Sequence, residues 1–363
     1  MKILTPRERF LKALRCEQPD RVPIFDWLNN PALYETYLGE HPGYFNGRLT
    51  ARLAKTLNMD AAWVPAGGYN ALPSERWTWL NEQDYIDEWG TQYQLEESSW
   101  PLAFPKEYPV LTVEDWKNLT IPDPLADWRL QYARDALDEA RREQADDIAV
   151  VVGLRGPMST AWMLVGLVQM SYALYDWPEV MDEIFKAAAE FWTTIGLRII
   201  ELGVDAVCIH DDQGANNGTF FKPEHVRQFV LPHLRRQVKT LAETGTPVIF
   251  HSCGNINAVL SDIMDLDIVG LNNLQRTAKM DIKAVKAAYG DKVCLIGNID
   301  ATTLMPYGTP SDVEQAVVDC LDICAPGGGY VLATDHSFHE GISLENVQAF
   351  IEAGKKHGVY SSN

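Results

Sequence analysis

The chain is short of positive charge: 31 lysines and arginines stand against 50 aspartates and glutamates in 363 residues, a formal net charge of -19. A surface this acidic repels phosphate backbones and anionic bilayers at long range, which argues against nucleic acid and against a membrane as partners. Long apolar runs are missing as well. No stretch approaches the roughly 18 apolar residues of a spanning helix, and the opening MetLysIleLeuThrProArgGluArgPheLeu has no signal-peptide core, so the expected location is cytoplasmic. Cysteine is sparse, with six residues at 16, 208, 253, 294, 320 and 324. Their scattered spacing argues against a disulfide framework and fits a reducing compartment. Cys208 and Cys294 lie inside apolar runs, as inert buried thiols do; Cys320 and Cys324, four apart on an expected helix, fit core packing better than a metal pair. A phosphate loop is missing too: ProGlyGlyGlyTyr (326–330) precedes a strand and has no GlyLys pair, so it reads as a helix-ending turn.

What is present is the composition of a globular protein, with 46% hydrophobic and 22% charged residues. From about residue 148, short apolar runs at 148–153, 204–210, 247–251, 267–272, 293–298 and 330–334 alternate with amphipathic stretches. That alternation is the pattern of parallel strands joined by crossover helices. Segments 21–25 and 60–65 supply two more strands, giving an α/β fold of the (β/α)8 TIM-barrel class with N-terminal helices. Residues 70–125 are rich in Trp, Tyr, Pro and Glu, and the alternation in AspGluTrpGlyThrGlnTyrGlnLeu (87–95) suits a β-hairpin insertion. With no linker, repeat or low-complexity tract in view, residues 1–363 are expected to form one barrel domain carrying that insertion.

In such a barrel the loops after the carboxyl ends of the strands build the active site. Reading those positions gives Trp63, Gly67 and Tyr69; Arg155; His210, Asp211 and Asp212; His251 and Cys253; Asn272 and Asn273; Asn298 and Asp300; and Asp335 with His336. His251 and Cys253 are two apart, so an extended chain points both to the same side, toward the barrel mouth. An imidazole and a thiolate suit zinc, which needs at least one further protein ligand. His336, at the end of the last strand, is the choice, with Asp211 or Asp212 as the substitute. A His-x-Cys pair by itself is a weak motif; the preceding apolar strand, the following glycine turn and a second strand-end histidine strengthen it.

Asp211 and Asp212 form a carboxylate pair in which repulsion and burial raise one proton affinity enough for general acid work; the alternative is that they bind backbone amides and hold the loop. Arg155, flanked by glycines in GlyLeuArgGlyPro, suits a carboxylate or phosphate, or a structural salt bridge. Trp63, Tyr69 and Asn298 complete the candidate substrate-binding set, with packing as the alternative for the aromatics.

The segments ThrProArgGluArgPheLeuLysAlaLeu, CysGluGlnProAspArgValProIle, PheLysProGluHisValArgGlnPheValLeuPro, PheHisSerCysGlyAsn, IleGlyAsnIleAsp and AlaProGlyGlyGlyTyrValLeuAla, taken in order, resemble the uroporphyrinogen decarboxylase superfamily over nearly the whole chain. The resemblance implies a (β/α)8 barrel and one of two activities, porphyrinogen decarboxylation or zinc-dependent methyl transfer with corrinoid proteins. The decarboxylases carry an arginine-rich segment where this chain has PheAspTrpLeuAsnAsnProAla, and an aspartate where the match places Gly67. The methyltransferase branch carries the His-x-Cys pair matched by His251 and Cys253, and commonly a second cysteine where His336 stands. That departure from the thiol-methylating set implies a demethylating, donor-side enzyme.

The expectation is therefore zinc on His251, Cys253 and His336, with Asp211 or Asp212 moving a proton. Trp63, Tyr69, Arg155 and Asn298 would hold a small methylated substrate, such as a methoxylated aromatic, and a corrinoid protein would be the partner. A homodimer is admitted as the assembly. The rival is a decarboxylase-like lyase acting on a carboxylated substrate without metal; a non-enzymatic corrinoid carrier fits the polar strand ends less well.

Overall fold

Short β-branched runs become parallel strands here because each is buried on both faces. Seven of them, β1 (Ala61–Pro65), β2 (Ala149–Arg155), β3 (Ala206–His210), β4 (Val248–His251), β5 (Gly270–Asn272), β6 (Cys294–Ile299) and β7 (Tyr330–Thr334), pair in parallel and in chain order within one sheet. The computed structural model describes residues 3–68, 71, 74–96, 100–101, 103–143 and 147–360. The gap between β7 and β1 is closed by residues 22–25. Leu332 N–H donates to the Pro23 carbonyl (2.9 Å), Phe25 N–H to the Leu332 carbonyl (3.0 Å), and Asp60 N–H to the Ile24 carbonyl (2.8 Å). Proline has no N–H to give, so this eighth stave pairs only at isolated points. The TIM-barrel expectation holds, with the first strand reduced to a bridge.

Successive strand residues point to opposite faces. The inward set, including Ala61, Val151, Cys208, Ile249, Ile296 and Val331, forms one cluster, while Val150, Val207, Phe250, Leu295 and Leu332 join the larger core under the helices. Inward residues are small or medium, as the narrow interior of an eight-stave barrel requires. Helix α1 (Pro6–Leu14) plugs the amino-terminal end with Phe10, Ala13 and Leu14. Its start is set by Thr5 and Glu8, which form a capping box, and by Pro6 in the first turn.

Two carboxylates lock that end. Asp60, just before β1, accepts Arg9 Nη1 (2.6 Å), Arg21 Nη1 (2.8 Å) and the Ile24 amide (2.7 Å). Asp205, just before β3, accepts Arg7 Nε (2.5 Å), Arg141 Nη2 (2.8 Å) and the Val150 amide (2.8 Å).

The stretch expected as a hairpin forms four antiparallel strands, Thr78–Trp79, Asp84–Ile86, Gln92–Gln94 and Phe104–Glu107. Tyr85 stacks between Trp77 (4.0 Å between ring centres) and Tyr93 (5.3 Å) and anchors this sheet. Among the described residues no helix is long and apolar enough to cross a membrane.

Asp60→Asn leaves Arg9 and Arg21 without their shared counter-charge in a buried setting and is expected to destabilise the fold by about 3 kcal/mol. Urea unfolding measures it; a loss under about 1 kcal/mol would mean that the arginines find other partners.

Candidate active site

Continuing the two-residue period past the apolar interior brings Trp27 after Phe25, Trp63 after Ala61, His210 after Cys208 and His251 after Ile249 to the carboxyl end of the barrel. All four line one cleft, together with Arg155, Asp212, Cys253 and His336. The cleft holds a cavity of about 120 Å³ beneath a wider open mouth. Trp27 is its centre: its ring lies 4.6 Å from His251, 4.7 Å from His210, 5.1 Å from Trp63 and 5.9 Å from His336. Gly153 makes the room. A Cβ at Gly153 would stand 2.7 Å from the Trp63 indole, so only a missing side chain on β2 lets that ring lie across it.

Within the cleft, donor atoms of Asp212, His251 and Cys253 lie within 4.8 Å of one another. Cys253 Sγ is 3.4 Å and Asp212 Oδ1 3.7 Å from His251 Nε2. Neighbouring amides fix the arrangement. His251 Nδ1 is 2.6 Å from Asn272 Oδ1, and Asn272 Nδ2 donates to the Ile296 carbonyl (3.2 Å), so the Asn272 oxygen is the acceptor and Nδ1 carries the proton. Nε2 is left with a lone pair facing Cys253 and Asp212, the form a metal ligand needs. The Cys253 amide donates to Asp212 Oδ1 (2.7 Å), and Asn273 Nδ2 donates to Cys253 Sγ (3.5 Å).

The electrostatics favour a cation. Burial, reinforced by Asp212, holds the Cys253 thiol well above its ordinary pKa, so a thiolate here calls for a compensating positive charge. Burial also lowers the His251 and His210 imidazoles below their ordinary value, His210 strongly. His336 remains open to solvent at the cleft surface yet sits deep among neighbouring groups; desolvation, with His251 nearby, brings it down to about 4. A nitrogen, a sulfur and a carboxylate oxygen make a donor set that suits zinc.

The other sequence candidates divide. Trp63 and Arg155 line the cleft. His336 lines it too, from the end of β7, but is not part of the three-donor group; its Nδ1 lies 2.9 Å from Ser337 Oγ. Asp211 is fully buried below the cleft wall, where its carboxyl accepts the Ser159 amide (2.8 Å) and Gln213 Nε2 (2.7 Å); burial lifts its pKa to about 8. Asn298 is likewise buried, donating to the Leu274 carbonyl (2.9 Å), and is not among the residues lining the cleft. Tyr69 lies outside the described residues. Sequence reasoning passed over Trp27, although the rule of inspecting residues just after each strand, applied to 21–25, would have reached it. It noted Asn272 and Asn273 at a strand end without a role.

Residues 88–357 match the family model described as uroporphyrinogen decarboxylase (URO-D). The uroporphyrinogen decarboxylase of Hydrogenovibrio crunogenus is 27% identical over 367 residues, 95% of this chain and 96% of that one. The methylcobamide:CoM methyltransferase MtaA of Methanosarcina barkeri is 25% identical over 233 residues; the match takes in 62% of this chain and 63% of the relative, less than two thirds of its length. A solved methyltransferase from Methanosarcina mazei superposes with a TM-score of 0.76 at 22% identity, over 97% of this chain and 99% of that one, and shares the fold. With the model matching most of its length and the same barrel beneath the match, the chain belongs to the uroporphyrinogen decarboxylase family.

Proposed function

We propose that the chain is a zinc-dependent methyltransferase, taking a methyl group from a small methylated compound, a methoxylated aromatic among the candidates, and passing it to the cobalt of a separate corrinoid protein. The observation that carries this is the convergence of His251 Nε2, Cys253 Sγ and Asp212 Oδ1 in a cleft walled by Trp27 and Trp63. In this reading Asp212, one of the substitutes the sequence offered for His336, takes the third ligand position, and His336 faces the substrate. Relatives named as methyltransferases, one of them with methylcobamide in its name, support methyl transfer as the reaction class.

The chain's own groups set the chemistry. Breaking a methyl–oxygen bond leaves an electron pair on an oxygen whose parent phenol has a pKa of about 10, so charge must be offset as it develops. Bound zinc would supply that as a Lewis acid. Asn272 keeps His251 in the ligating tautomer. Asp211 acts on Asp212 rather than on substrate: it holds the Ser159 amide, and Ser159 Oγ accepts the Asp212 amide (2.9 Å). Trp27 and Trp63 offer flat apolar surface for an aromatic ring. The rival decarboxylase reading has little to grip a carboxylate-rimmed tetrapyrrole, because Arg155 is the one arginine or lysine among the described residues lining the cleft.

Metal analysis of the purified protein is expected to find about one zinc per chain, lost in the double variant His251→Ala, Cys253→Ala; unchanged content would refute the site. Asn272→Leu is expected to weaken zinc about 10- to 100-fold in chelator competition, and wild-type affinity would remove its orienting role. With reduced corrinoid protein and a panel of methyl ethers, amines and thioethers, visible absorbance is expected to report cobalt methylation. No methylation anywhere, or chelator-insensitive release of carbon dioxide from a carboxylated tetrapyrrole, would sink the assignment in favour of the lyase.

A further inference from the structure

His210 is held in one protonation pattern by a neighbour that can only donate. The Trp63 indole Nε1–H points at His210 Nε2 from 3.1 Å. An indole nitrogen has no acceptor function, so Nε2 carries the lone pair and the neutral ring's proton sits on Nδ1. Both rings are fixed, Trp63 across Gly153 and His210 between Trp27 (4.7 Å) and His251 (5.0 Å). Among the described residues Nδ1 has no hydrogen-bond partner, and the half-buried His210 side chain lines the cleft. A neutral ring thus keeps one N–H without a protein partner among the described residues, on a side chain that lines the cleft beside the three-donor group.

We propose that His210 donates this Nδ1–H to the oxygen from which the methyl group departs, so that the site selects oxygen-linked methyl groups over methylamines and thioethers. The inference rests on the methyl-transfer reading above. In the step, the carbon–oxygen bond breaks with its electron pair on oxygen, while the electron pair of the corrinoid's cobalt(I) forms the new cobalt–carbon bond. The Nδ1–H bond to oxygen strengthens as charge gathers there, and no proton need leave the ring. A protonated methylamine or a quaternary ammonium has no lone pair to accept the bond, and a thioether sulfur is a weak acceptor. The opposite tautomer would set Nε2–H against the indole N–H and turn a lone pair on the substrate oxygen. Trp63 is thus a positioning residue for His210.

The test uses the full chain with zinc and reduced corrinoid protein. Nitrogen-15 NMR of labelled histidine is expected to show His210 as the Nδ1–H tautomer, and Trp63→Phe to release it to a mixture. With 2-methoxyphenol as methyl donor, His210→Phe is expected to lower kcat about 100-fold, whereas His210→Asn, whose amide N–H falls near the Nδ1 position, stays within about tenfold of wild type. An Nε2–H tautomer in the wild type, or a His210→Phe kcat within about threefold of wild type, overturns the proposal. If the wild type methylates cobalt from no methyl ether, the methyl-transfer reading falls separately. The donor assignment is then decided by the tautomer and by titration with phenol, which a donating His210 binds at least about tenfold more tightly than does His210→Phe; equal affinity overturns it.

Discussion

The barrel is closed by a stave that can scarcely pair. Residues 22–25 must bridge β7 and β1, yet Pro23 withholds an amide and the contact reduces to isolated bonds. Two buried carboxylates complete the closure. At the amino-terminal end Asp60 takes the Ile24 amide together with Arg9 and Arg21. At the carboxyl end Asp26 takes the Trp27 amide (2.8 Å) and the Thr334 amide (2.7 Å), and burial lifts its own pKa to about 7. Trp27 follows directly on this closure, and its ring meets Trp63, His210, His251 and His336 in the cleft. The site is thus as well placed as the weakest seam of the barrel allows.

Much of this was legible in the residues. The six strands from 148 to 334 follow from apolar runs that only a doubly covered parallel sheet can bury, and the same-side placement of His251 and Cys253 follows from the two-residue period. The third member of the donor group was legible only as a choice among His336, Asp211 and Asp212, because a strand-end rule ranks positions without measuring the distance across a barrel. The ladder measures it: His210 pairs with His251 on adjacent strands, so Asp212 comes beside Cys253, while His336 stands at the end of β7, three strands on. Asn298 shows the same limit. Its period points it toward the barrel rim, but the Leu274 carbonyl takes its amide. In the 78–107 sheet, only the central alternation of 87–95 carries a β signal; the outer strands are largely exposed and have no such pattern.

The cleft differs in character from the surface around it. A strongly acidic exterior surrounds a mouth whose histidines are held neutral and whose other charged lining groups are Arg155 and Asp212. Selection inside therefore depends on hydrogen-bond direction and ring surface more than on net charge. The asparagines at the end of β5 matter for this reason: Asn272 and Asn273 each spend an amide on a donor of the three-residue group, and each acts by orientation rather than by charge.

The backbone bond from Cys253 to Asp212 has a thermodynamic consequence. It joins the ends of two adjacent strands whose positions the barrel already dictates, so the strand ladder itself sets Asp212 beside Cys253. In small zinc domains, assembling the ligands and folding the chain are one event, and the metal's binding free energy holds the fold together. At the zinc site proposed here the two would be separate events. An ion bound there would shed water and displace a thiol proton against a scaffold set by the barrel, and exchange of one ion for another would be expected to leave the barrel standing.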